Sequence, residues 1–173
     1  RDIMGFTPLH SAASTGQTSV ISLLLNYGAD INAVCNSNDT PLHLAAERGH
    51  NAAVKILLER GSNINQSGSN SSTALFNAAS WGHIEVVNEL IDRHANIDIK
   101  GENGTTPLHV AASWGQDDIV ATLLEAGAQV DVYCQEGATP LTSACLWQNI
   151  NIVSMLIHAG ADLNLPGTDS SPA

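Results

Sequence analysis

The chain has 173 residues, 43% of them apolar and only 13% charged, and six Lys+Arg against seventeen Asp+Glu give a formal net charge of −11. So acidic a chain lacks the dense basic footprint of a nucleic-acid binder or a polybasic membrane clamp. No apolar run approaches the roughly 18 residues of a membrane helix. Three cysteines without a CxxC pair argue against a disulfide scaffold or a zinc cluster, and for a reducing compartment.

In chain order the elements restate one pattern. Thr7-Pro8-Leu9-His10 opens a first helix, with Thr as cap and Pro at the first helical position. Ala12-Ala13 keep that helix thin and Gly16 ends it. Val20/Ile21 and Leu24/Leu25 stripe a second helix, and Gly28 supplies its left-handed C-cap before the polar loop Ala29-Asp30-Ile31-Asn32. Thr40-Pro41-Leu42-His43 begins the second unit, with Ala45-Ala46, Gly49, Leu57 and Gly61 in register. The third departs most: it opens Thr73-Ala74-Leu75-Phe76 after the Ser/Asn-rich stretch 68–72, and carries His94 in the Gly28 column. Thr106-Pro107-Leu108-His109 opens the fourth, and Thr139-Pro140-Leu141-Thr142 the fifth, where Cys145 replaces an alanine and Gln148 a glycine. The threonines at 7, 40, 73, 106 and 139 fix a period of 33 without slippage.

TPLH, the alanine pair, the Gly-His turn, the V-x-x-LL helix and the GADIN loop, five times in register, resemble the ankyrin repeat. The resemblance covers about residues 2–165. It implies an all-α ankyrin-repeat solenoid of stacked helix-turn-helix units with projecting β-hairpin loops. It also implies one domain over 1–173, with repeats at about 2–34, 35–67, 68–100, 101–133 and 134–166. Residues 167–173 read as the start of a further repeat or a tail, since Ser171-Pro172 falls within one residue of the next Thr-Pro. Neither end unit has the polar outer face of a capping repeat. The chain is therefore expected to be part of a longer polypeptide.

Five of the seven histidines (His10, His43 and His109 in TPLH, His50 and His83 in the Gly-His turn) belong to the repeat, where the resemblance implies hydrogen bonds between units. No metal or cofactor is expected. HExxH, GxSxG, phosphate-loop and kinase patterns are absent, so no catalytic residue is assigned. Asp117-Asp118 reads as the acidic first turn of a helix. Cys145 reads as a small core residue. Asn32 and Asn164 resemble ankyrin asparagines hydroxylated by an oxygen-sensing hydroxylase; a hairpin asparagine with local hydrogen bonds is the favoured alternative.

Trp81, Trp114 and Trp147 share one column at the end of the first helix, where the earlier repeats have Thr15 and Arg48. Exposed Trp is costly and is the leading hot-spot residue at interfaces. The expected role is non-catalytic binding of a partner protein or peptide through the concave groove. The candidate partner-binding residues are Trp81, Trp114 and Trp147, with Asp39, Glu47, Arg48, Ser80, Glu102, Asn103, Ser113, Glu136 and Leu146. The acidic members favour a basic or cation-bearing ligand. The alternatives are indoles that cover neighbouring alanines, and a regulatory ankyrin domain of a larger enzyme, channel or ubiquitin-ligase substrate receptor. The expected location is cytoplasmic, and nuclear as a variant of it.

Overall fold

A computed structural model describes residues 1–165; the Ser171-Pro172 reading lies outside them. Among the described residues ten α-helices form five packed pairs: α1 Pro8–Ser14 and α2 Thr18–Asn26, α3 Pro41–Glu47 and α4 Asn51–Glu59, α5 Ala74–Trp81 and α6 Ile84–Asp92, α7 Pro107–Ser113 and α8 Asp117–Glu125, α9 Pro140–Leu146 and α10 Ile150–His158. The chain groups into two compact units, Arg1–Asn96 and Ile97–Ala173. In the first, α1 packs on α3 and α3 on α5, while α2 packs on α4 and α4 on α6. In the second, α7 packs on α9 and α8 on α10. The all-α class follows the expectation.

Among the described residues the projecting loops form no strand. They close as hydrogen-bonded turns: Cys35 N–H to the Asp39 carbonyl at 3.0 Å, Gly101 N–H to that of Thr105 at 2.8 Å, Cys134 N–H to that of Ala138 at 3.0 Å. Neighbouring turns also join, through Asn36 N–H to the Met4 carbonyl at 3.0 Å and Gln135 N–H to that of Asn103 at 2.8 Å.

The first helix of each pair starts where threonine stops extended backbone. Thr7, Thr40 and Thr106 each donate a backbone N–H to Nδ1 of the histidine three residues on, at 3.2, 3.2 and 3.1 Å. Because Nδ1 accepts there, the network assigns the proton to Nε2. That N–H reaches the next repeat: His10 to the Asp39 carbonyl at 2.9 Å, His43 to those of Gln66 and Ser72 at 3.0 and 3.2 Å, His109 to that of Ala138 at 3.2 Å. Each histidine thus caps its own helix and fastens its repeat to the following one.

The turn residues fasten in the opposite direction. His50 Nε2 donates to the Ser14 carbonyl at 3.1 Å, His83 Nε2 to that of Glu47 at 2.9 Å, and Asn149 Nδ2 to those of Ala112 and Ser113 at 2.7 and 3.1 Å. This contact explains the glycine before it. A Cβ on Gly16 would come within 2.8 Å of His50 Nδ1, and one on Gly49 within 2.6 Å of His83 Nδ1; both glycines also sit at positive φ. A third ladder was not anticipated. Asn32 Oδ1 accepts from Asn63 N–H at 3.0 Å, Asn65 Oδ1 from Asn96 N–H at 2.9 Å, and Asp131 Oδ1 from Asp162 N–H at 3.1 Å. The Asn32 side chain is thereby engaged with the next repeat rather than in a local hairpin hydrogen bond.

Leu9, Ile21, Leu42, Leu57, Leu75 and Leu90 fill the first core, and Leu108, Ile119, Leu123, Ile152 and Leu156 the second. The outer columns differ from the inner ones. Val20 is 39% exposed where its counterparts Ala53 and Val86 are at 0%. Cys145 corrects the expectation of a core thiol. It is exposed, while Ala112 one repeat earlier is buried beneath the fifth pair.

Candidate functional site

Helix-end and loop-turn residues meet around Trp81 in the first unit and around Trp147 in the second. Trp81 ends α5, and Trp114 and Trp147 are the C-cap residues of α7 and α9. They are 64%, 68% and 62% exposed. An indole that filled space between units would be largely covered, so the packing alternative accounts for only the lesser part of each ring.

In the first unit Trp81 borders a cavity of about 290 Å³ with Glu47, Ser80, Phe76 and the 3-10 turn residues Ser69 and Asn70. Glu47 is half-buried and its carboxylate lies 3.5 Å from the exposed Arg48 guanidinium. Ser80 Oγ donates to the Phe76 carbonyl at 2.9 Å. In the second unit Trp147 borders a cavity, again of about 290 Å³, with Leu146, Glu136, Ser113, Val110 and Thr142. Leu146 is 66% exposed, and Ser113 Oγ donates to the His109 carbonyl at 3.0 Å. Glu102 and Asn103 are exposed at a loop turn, where their carbonyls accept from Gln135 Nε2 and N–H.

Asp39 does not belong to this surface. It is buried; its Oδ1 accepts from Ser69 N–H at 2.9 Å and its Oδ2 from Ser37 Oγ at 2.8 Å, which ties the second loop to the third. No sequence signal marked it, because its column continues as Ser72, Thr105 and Ala138. The cavity walls Val110, Thr142 and Cys134 were likewise missed, since each reads as ordinary repeat filling.

Burial lowers the pKa of His10, His43 and His109 against the opposing pull of nearby carbonyls and, for His10 and His43, of the Asp39 carboxylate. The TPLH histidines are therefore neutral fasteners. Among the described residues no group of three or more His, Cys, Asp or Glu is arranged to hold a metal ion. Among the described residues no helix is long and apolar enough to cross a membrane.

A family model for ankyrin repeats, in three copies, matches residues 1–68 and 75–166. The chain belongs to the ankyrin-repeat family. The break in the match falls at 69–74, the turn and helix start where the third repeat departs from the TPLH pattern. Ankyrin repeats are generally protein–protein interaction modules. A similar segment occurs in Delta-latroinsectotoxin-Lt1a of Latrodectus tredecimguttatus, at 58% identity over 33 residues, or 19% of this chain and 3% of that protein. That length is one repeat, so this ankyrin-repeat chain spans a small fraction of the relative it matches.

Proposed function

We propose that this ankyrin-repeat chain is a non-catalytic module, working inside the cell, that binds a partner protein or peptide through the faces bearing Trp81, Trp114 and Trp147. The observation that carries the reading is the exposure of all three indoles at the period of the repeat. Water-exposed tryptophan costs solubility and returns nothing to the core, whereas desolvating it against a partner yields hot-spot energies. Glu47, Arg48, Ser80, Ser113, Glu136 and Leu146 surround the indoles and would set which partner fits. The test is affinity capture from a cell lysate with wild type and Trp81→Ala/Trp114→Ala/Trp147→Ala, both checked for helicity by circular dichroism. A protein held by wild type and released by the triple variant is the expected result. Equal retention by both overturns the reading.

The uncovered outer columns favour a second element of the proposal, that further repeats of the same polypeptide flank this segment. Val20, Leu24 and Pro8 on one outer face, and Cys145 and Ile157 on the other, occupy junction columns without a neighbouring repeat. A regulatory role within a larger enzyme, channel or ubiquitin-ligase receptor is compatible with that context.

A further inference from the structure

The two cavities are built alike but differ in charge. Each pairs an exposed tryptophan with one carboxylate, Glu47 in the first unit and Glu136 in the second. Glu47 has a cation from its own chain, the Arg48 guanidinium at 3.5 Å. No lysine or arginine lines the cavity beside Glu136. From Ile97 onward the sequence has one basic residue, Lys100, against nine acidic ones, so most of the net charge of −11 resides there. Lys100 Nζ donates to the Tyr133 carbonyl at 3.2 Å. His109, also in the wall, is held neutral, because its Nδ1 accepts the Thr106 N–H.

The remaining wall is amphipathic. Val110, Leu146 and Trp147 offer apolar surface to a methylene stem, and the indole face and the Glu136 carboxylate offer attraction to a cationic head. A carboxylate side chain there would meet the negative field of the whole unit, and an apolar one would leave Glu136 to be desolvated without a partner.

We propose that this cavity, lined by Val110, Ser113, Glu136, Leu146 and Trp147, seats a lysine or arginine side chain of a basic partner segment. The proposal rests on the groove reading above and adds to it the chemistry of the occupant and the unit that holds it.

The test uses the whole chain and a fluorescein-labelled peptide, (Gly-Ser-Arg)4, with the citrulline peptide of the same length as its uncharged isostere. Wild type is expected to bind the arginine peptide with saturation below about 1 mM and the citrulline peptide at least about tenfold more weakly, the scale of losing one charge-assisted contact. Glu136→Gln and Trp147→Ala each weaken the arginine peptide by a similar factor. Asp118→Asn leaves it within about twofold, the size of a rim effect. Glu136 is exposed on a loop, so its substitution leaves the fold intact, which circular dichroism verifies. Equal affinity for the two peptides overturns the proposal, and so does binding of neither. A loss with Asp118→Asn as large as with Glu136→Gln also overturns it, by showing diffuse attraction rather than a seat. Capture of a lysate protein through the tryptophans without dependence on Glu136 overturns this inference while leaving the groove reading in place.

Discussion

A TPLH histidine does three things with one ring: Nδ1 closes the helix N-terminus, Nε2 reaches the next repeat, and the ring fills buried volume. Removing it leaves the threonine N–H without its acceptor, at a cost of about 1–3 kcal/mol, while the carbonyls of Asp39 and Ala138 keep the loop N–H groups of Cys35 and Cys134. His43→Ala, which strips the Gln66 carbonyl of its donor and the Thr40 N–H of its acceptor while Gly68 N–H still serves the Ser72 carbonyl, is expected to lower the unfolding free energy by about 2–4 kcal/mol in urea titration. The same geometry fixes a pH dependence. Protonating Nδ1 would turn an acceptor into a donor facing a donor, and burial already lowers the three folded-state pKa values below 6.5. The unfolded chain therefore binds more protons in the window from 6.5 down to the folded values. Stability is fully present above about 6.5 and is lost as pH falls through that window. Urea midpoints measured from pH 8 to pH 5 are expected to decline on the acid side, and less steeply in His109→Gln.

Helix ends show where a repeat tolerates departure from its own pattern. His94 and Gln148 stand in glycine columns, yet both adopt the left-handed conformation, at φ 61° and 57°. The chain geometry is imposed by the neighbouring helices, and the residue bears the strain. Each substitution to glycine is expected to raise stability by about 0.5–1 kcal/mol, the side-chain penalty less the extra entropy of an unfolded glycine. Gly16→Ala goes the other way. It meets the His50 ring as well as the positive φ, and is expected to cost about 2 kcal/mol or more. These contrasts also mark what was legible from sequence. Helix starts and helix ends follow from Thr-Pro, Gly and the 33-residue register, because local backbone chemistry dictates them, and the inter-repeat role of the histidines follows from the ankyrin resemblance. The burial of Asp39 and the exposure of Cys145 do not follow. One depends on Ser69 of the next loop, the other on the absence of a covering repeat, and neither leaves a trace in its own column.

At the scale of the whole molecule, stability is shared between stacked neighbours, so the two outer faces are its weakest points. Joining one more copy of residues 101–133 after Pro166 is expected to bury Cys145 and raise the thermal midpoint. Slower labelling of that thiol by a maleimide would report the cover, and unchanged labelling and midpoint would contradict flanking repeats. The tryptophans stand apart from this ledger. They were legible as a column, and their exposure supports the proposed contact role. The most direct measurement is therefore a pair of readings on Trp81→Ala/Trp114→Ala/Trp147→Ala: its urea midpoint, and its affinity for the partner that wild type captures. The expected result is a midpoint shifted by less than about 0.5 kcal/mol equivalent, as for surface positions, with affinity reduced at least about 30-fold. A destabilised variant that still binds the partner at wild-type affinity would contradict it, and would make the indoles part of the packing.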